Sequence, residues 1–214
     1  MPIPPLIRFC VLVPVKAAAR AKSRLAPLGD ETRRALVEAF AMDTVTAALA
    51  SPLVEQVLVV TDDHLLAAQL HGAGAHVVPD GVLDDLNGSL EQGAAEARRR
   101  WPHLALAALC ADLPSLRADD LTRVLASATE HEWSFVPDQQ GDGTTMVCAL
   151  PGTDLGPSFG PGSRDAHAAD GAHELLAVEA DTLRRDVDTP DDLREALRLG
   201  VGPCTTAVVS GRRL

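Results

Sequence analysis

Phe9-Cys-Val-Leu-Val-Pro-Val-Lys16, continued as Ala17-Ala-Ala-Arg-Ala-Lys-Ser-Arg-Leu-Ala26, is the stretch on which the fold turns. The apolar run from Phe9 to Val13, bounded by Pro14, predicts a buried strand. Beyond Pro14 the pattern changes to a loop carrying Lys16, Arg20, Lys22 and Arg24, a positive spot in a chain of net charge -11. The chain has 19 lysines and arginines together, yet its only lysines are Lys16 and Lys22. Lysine offers a compact point charge where arginine offers a planar fork. A loop at the C-terminal end of a first strand is where α/β folds hold ligands. The pattern therefore predicts a phosphate-binding loop, with solvated loop residues as the plain alternative.

Along the rest of the chain, strand and helix signals alternate. Strands are predicted at Val57–Val60, Ala75–Val78, Leu104–Cys110, Ser134–Val136, Thr145–Leu150 and Thr182–Val187. Asp30 is expected to cap a helix reaching Ala50, and a short helix to end near Gly72. Ser89 and Gln92 have capping-box spacing for a helix ending near Arg100. Further helices are expected over Ala118–Glu130, over Ala172–Val178, and after Thr189-Pro190, with proline at the first helical position. Pro151–Asp170 reads as a long loop rich in glycine and proline, and residues beyond Gly200 as a loose tail. Alternation at this spacing predicts an α/β fold with a mostly parallel sheet covered on both faces.

A chain of 214 residues that is 46% hydrophobic fits one domain over residues 1–214 with a sizeable core. No apolar run is long enough to span a membrane. Met-Pro-Ile-Pro-Pro-Leu at the start lacks the pattern of a signal peptide, and the acidic balance disfavours nonspecific nucleic-acid binding. Cys10, Cys110, Cys148 and Cys204 form no C-x-x-C pair, which argues against zinc. These features predict a cytoplasmic protein with no nucleic-acid or membrane partner.

Carboxylates fall where a site would be. Asp112 follows the most apolar strand directly. Asp186 and Asp188 alternate about Val187, so both are expected on one face, with Val187 towards the core. Carboxylates converging at strand ends suit Mg²⁺, which takes a few protein oxygens plus substrate phosphates. Against this, Asp188 could cap the Thr-Pro helix and Asp112 the turn before Pro114. Asp62 and Asp63 read as turn residues. Asn87-Gly-Ser89 opens a helix, so its amides could meet an anion or merely cap. Gly141-Asp-Gly-Thr-Thr145 could be a plain hairpin turn and Phe159-Gly-Pro-Gly-Ser163 a flap. The seven histidines show no ligand pairing.

Six short motifs occur in a telling order: V-P-V-K with A-K-S-R-L, D-x-L-N-G-S-L, A-D-L-P, G-T-T, F-G-P-G-S and D-V-D-T-P-D-D-L. In this the chain resembles the guanylyltransferases of coenzyme F-420 biosynthesis, which act on 2-phospho-L-lactate or phosphoenolpyruvate, over about Phe9 to Gly202. The resemblance implies a Rossmann-like (GT-A-like) nucleotidyltransferase fold with a mixed sheet of about seven strands. It implies GTP as donor, a phosphorylated three-carbon acid as acceptor, and Mg²⁺ as cofactor. It makes Asp112, Asp186 and Asp188 metal ligands, and Lys16, Lys22 and Asp112 catalytic. It puts Thr145, Gly160 and Ser163 on the acid, and Lys16, Lys22, Ser23, Arg24, Asn87 and Ser89 near the nucleotide. Arg164 departs from the small or apolar residue expected after Ser163. A homodimer and hand-off of product to the next pathway enzyme are compatible with the resemblance. The alanine- and arginine-rich composition suggests a high-GC bacterium, for which the resemblance favours phosphoenolpyruvate. Molybdopterin and sugar nucleotidyltransferases carry a glycine-rich first loop, which A-A-A-R-A-K-S-R-L is not. A noncatalytic nucleotide-binding regulator on the same fold is the reading from another class.

Overall fold

The apolar run at Phe9 becomes an interior strand of the sheet. The computed structural model describes residues 6–16, 22–82, 85–175 and 180–211. Its strands are β1 (Phe9–Pro14), β2 (Val54–Val60), β3 (His76–Val78), β4 (Ala105–Leu109), β5 (Trp133–Pro137), β6 (Thr144–Ala149) and β7 (His173–Glu174). Its helices are α1 (Asp30–Leu49), α2 (His64–Gly72), α3 (Leu86–Arg100), α4 (Ala118–Ala128), α5 (Ser163–Ala169), α6 (Pro190–Leu199) and α7 (Pro203–Val209). One sheet runs in the order β3-β2-β1-β4-β6-β5-β7. All neighbouring pairs are parallel except those of β6, which runs against both β4 and β5.

Burial on both faces explains why the strands read as unbroken apolar runs. Phe9, Val11 and Val13 enter one core cluster, while Cys10 and Leu12 enter the other. The first face is covered by Ala41, Val45 and Ala48 of α1, Leu66 and Leu70 of α2, and Leu121, Val124 and Leu125 of α4. The second is covered by Leu90, Ala94 and Ala97 of α3. Gly93 lets α3 lie close to the sheet, because a Cβ there would stand 3.0 Å from Val60 Cγ2. Each large side chain buried in this way contributes about 1.5–3 kcal/mol.

The reversed strand matters most for the site. β5 and β6 form a hairpin, so β6 begins where the parallel strands end, and Cys110 N–H donates to Thr145 O at 2.9 Å. The turn between them is held by one carboxylate: Asp138 accepts from the amides of Gly141, Asp142 and Gly143 at 2.6, 3.0 and 2.9 Å.

Several expectations are corrected. Thr182–Val187 is not a strand; Asp181–Leu183 is a 3-10 turn followed by an irregular segment. The seventh strand is His173–Glu174, within the stretch expected to be helical; residues 176–178 of that stretch lie outside the described residues. The long loop contains α5, and the expected loose tail contains α7. There Asp43, buried on α1, accepts from Cys204 N and Thr205 N at 2.9 and 2.8 Å. Ser89 and Gln92 form no capping box: Asp85 caps α3 through Gly88 N, and Gln92 accepts from Gly81 N. Gly29, not Asp30, is the N-cap of α1. Thr189 and Asp192 do form a reciprocal box at α6. No helix among the described residues is long and apolar enough to cross a membrane.

Candidate active site

Three segments far apart in sequence meet at the C-terminal edge of the sheet. The loop after β1 brings Lys16 and Lys22, the turn after β4 brings Asp112, and the segment before α6 brings Asp186 and Asp188. Val187 is fully buried and donates its N–H to Asp112 O at 3.1 Å, so Asp186 and Asp188 flank a fixed point. The two aspartates therefore converge through that hydrogen bond and a buried valine, not through strand alternation.

Asp112, Asp186 and Asp188 each offer a carboxylate oxygen, all within 4.8 Å of one another. Lys22 Nζ donates to Asp112 Oδ2 and to Asp188 Oδ1. Burial would lower the basicity of this ammonium, but the Asp112 and Asp188 carboxylates more than offset it and hold it above the ordinary range. Burial, then the neighbouring Asp112 charge, pushes the Asp186 carboxyl up to about 7. Asp112 Oδ1 and Asp186 Oδ1 are buried with no partner among the described residues. Orphaned buried anionic oxygens are costly, and an all-carboxylate set suits a hard divalent cation. The residues thus fit a metal ion, and the cluster could hold one.

Lys16 faces a second network. Its Nζ lies 2.6 Å from Asp80 Oδ2, 2.7 Å from Ser89 Oγ, 3.1 Å from Val82 O and 3.3 Å from Asp85 O. An ammonium has three protons, so at most three of these four bonds form at once. Ser89 Oγ has one proton of its own, shared between Asp80 Oδ1 and Asp85 O. Hydrogen bonds from Lys16 and Ser89 hold the Asp80 carboxyl below its usual range, against the raising effect of burial.

Two cavities open here and share Lys22, Leu86, Cys110, Asp112 and Phe159. One, of about 210 Å³, has apolar walls from Val15, Val37, Phe40, Leu90 and Leu109, with Lys16 at its edge. The other, of about 550 Å³, is lined by Arg24, Thr144, Gly160, Ser163, Asp186 and Asp188 among others. Thr145 lies behind this lining; its hydroxyl and that of Ser163 are buried without partners among the described residues. Arg164 pairs with Glu174 on β7 through two 2.9 Å bonds and donates to Gly141 O, so it ties α5 to the sheet. Arg20 and the side chain of Ser23 lie outside the described residues.

Asp80, Asp138 and His167 carry no motif that the sequence alone would single out. Fully buried His167 accepts from Ser158 N–H at Nε2, so Nδ1 carries the proton and donates to Thr144 Oγ1, both at 3.0 Å. Burial lowers its basicity from the ordinary 6.5, against smaller raising effects from Ser163 and Asp170. The unfolded chain then takes the proton more readily than the folded one. Stability is accordingly complete above 6.5 and is lost as pH falls through and below that value. In melting curves between about pH 5 and pH 8, His167→Gln should flatten the acid-side fall. Parallel profiles for the two proteins would remove His167 as the titrating group.

Residues 9–207 match the family described as Guanylyl transferase CofC like. The chain is similar to the phosphoenolpyruvate guanylyltransferase of Thermomonospora curvata, 50% identical over 204 residues, covering 95% of this chain and 90% of that protein. It is also similar to the protein of the same name from Streptomyces coelicolor, 50% identical over 205 residues, covering 95% and 97%. Among solved structures, a 4-diphosphocytidyl-2C-methyl-D-erythritol synthase superposes with a TM-score of 0.61 at 12% identity, covering 90% of this chain and 99% of that one. A likeness at that identity speaks to the fold, which is that of the nucleotidyltransferases.

Proposed function

Because the chain belongs to the guanylyl transferase family described as CofC like, we propose that it transfers GMP from GTP to phosphoenolpyruvate. It is an enzyme of the nucleotidyltransferase class. The observation that carries the finer reading is the meeting of Lys22, Asp112, Asp186 and Asp188 where the two cavities join.

A phosphate oxygen of the acceptor attacks the α-phosphorus of GTP. The bond from that phosphorus to the bridging oxygen of the β-phosphate breaks, and pyrophosphate leaves. A phosphate is already ionised at neutral pH, so no general base is needed. Both reactants are polyanions, and the protein's work is positioning and charge stabilisation. The apolar cavity suits the nucleoside, with Lys16, Lys22, Arg24 and Ser89 towards its phosphates. The larger cavity suits the three-carbon acid, against Gly160 and Ser163, with Thr145 behind them. Asp112, Asp186 and Asp188 would hold Mg²⁺, which when bound supplies positive charge between the reacting phosphates. Lys22 carries a cation to the same point.

The same reading makes residues 1–214 a single catalytic domain acting in the cytoplasm, its product passing to the next step of coenzyme F-420 biosynthesis. Pyrophosphate release from GTP with one acid as sole acceptor tests it. Release is expected with phosphoenolpyruvate. Release with 2-phospho-L-lactate alone would overturn the acceptor, and release with neither would overturn the reaction.

A further inference from the structure

Asn87, in the first turn of α3, uses both ends of its carboxamide on one residue. Its Nδ2 donates to Phe159 O at 3.1 Å, and Phe159 N–H donates to its Oδ1 at 2.8 Å. A side chain here does what a neighbouring strand does, pairing with both backbone groups of a residue 72 positions away. Phe159 belongs to the strap between β6 and α5, and its side chain lines both cavities.

Most other hydrogen bonds that fix this strap come from its own side of the cleft. Trp133 Nε1 donates to Leu155 O at 2.8 Å, Ser158 N–H donates to His167, and Gly162 N–H donates to Asp142 at 3.2 Å. From α3, Arg98 holds the start of the strap at Thr153 O, and Asn87 holds its far end at Phe159. Two positions further along, Ser89 Oγ accepts from Lys16. One turn of helix therefore holds the loop lysine and the strap together.

We propose that Asn87 is a positioning residue for the acceptor: it sets Phe159, and through it Gly160 and Ser163, against the phosphorylated acid. This rests on the assignment of the larger cavity to the acceptor. Both polar ends of the side chain are turned to the strap, so its loss falls chiefly on the acceptor side; the nucleotide side keeps Lys16, Lys22 and Ser89, although Phe159 borders the apolar cavity as well.

Asn87→Ala and Asn87→Asp in the full chain test this. GTP affinity is read by calorimetry with Mg²⁺ and no acceptor, and kcat and KM for phosphoenolpyruvate by pyrophosphate release. Asn87→Ala should raise the acceptor KM about tenfold or more, the scale of one or two lost hydrogen bonds, with any loss of GTP affinity clearly smaller. Asn87→Asp keeps an oxygen for Phe159 N–H but no donor for Phe159 O, so its KM should lie between the two. It also serves if the alanine variant folds poorly. Weaker GTP binding with an unchanged acceptor KM would make Asn87 a nucleotide contact and overturn the proposal, as would no change in either. A wild-type chain that uses neither acid would overturn the functional reading and this inference together; normal wild-type turnover with an unchanged variant KM overturns the inference alone.

Discussion

Asp112→Asn and Asp186→Asn are each expected to cut nucleotidyl transfer about 10³-fold, the scale of several kcal/mol of lost charge stabilisation. Asparagine keeps the shape and removes one negative charge from a cluster whose oxygens lie within 4.8 Å. The two variants should part company in the metal-free fold. Asp186 has a buried oxygen with no partner and a carboxyl pushed up by burial and then by Asp112. Removing its charge relieves repulsion, so the melting temperature holds or rises. Asp112 is a counter-ion of buried Lys22. Its loss should cost about 1–3 kcal/mol, less than breaking an isolated buried pair, because Asp188 remains. In both variants the melting shift on adding Mg²⁺ and GTP should shrink, as linkage requires when a ligand binds only the folded state. Thermal melting with and without these ligands, beside turnover, decides the matter. If both variants keep the wild-type shift and rate, the aspartates are structural caps.

Lys22→Met should lower turnover by about 10²-fold or more, the scale of losing one preorganised donor, yet raise the affinity for Mg²⁺ in the absence of GTP. The opposed signs follow from one arrangement. The Lys22 ammonium sits against Asp112 and Asp188, two of the three carboxylates a divalent cation would use. Methionine removes that competitor while keeping an unbranched side chain of similar length. It also leaves Asp112 without its cation and Asp188 with Arg24 alone, so the metal-free melting temperature should fall. Lys22 adopts the left-handed backbone region, φ 55° and ψ 51°, which costs a residue with a Cβ about 1–2 kcal/mol. A glycine would avoid that cost, so the position is held for its side chain. Calorimetric titration with metal alone reads the effect, and unchanged affinity would mean that Lys22 and the metal do not share oxygens.

The interior strand at Phe9, the covered sheet and the helix at Thr189 were legible because each rests on local pattern: an apolar run, a period, a cap. Asp112 was legible because it follows the most apolar strand. Asp186 and Asp188 were found for a reason that does not hold, since Val187 is fixed by its bond to Asp112 O rather than by a ladder. β7 has two residues, too few to carry a period. α5 is seven residues inside a glycine-rich stretch, and only the run Ser163-Arg-Asp-Ala-His-Ala-Ala169 announced it. α7 did carry a signal, proline at its first position after Gly202. Asp80 and His167 were silent because their meaning lies in partners: Lys16, 64 positions away, and the strap at Ser158.

The distances along the chain have a kinetic consequence. The β5–β6 hairpin closes over a short turn, whereas Lys22 meets Asp112 across 90 positions and Asp188 across 166. Contacts of such separation carry the largest loop-closure cost and form late. The carboxylates are therefore expected to come together late in folding, with their repulsion falling on the last step. A cation bound at a cluster absent from the transition state leaves the folding rate alone and slows unfolding. A divalent cation held by this cluster would therefore be expected to slow opening rather than to speed assembly.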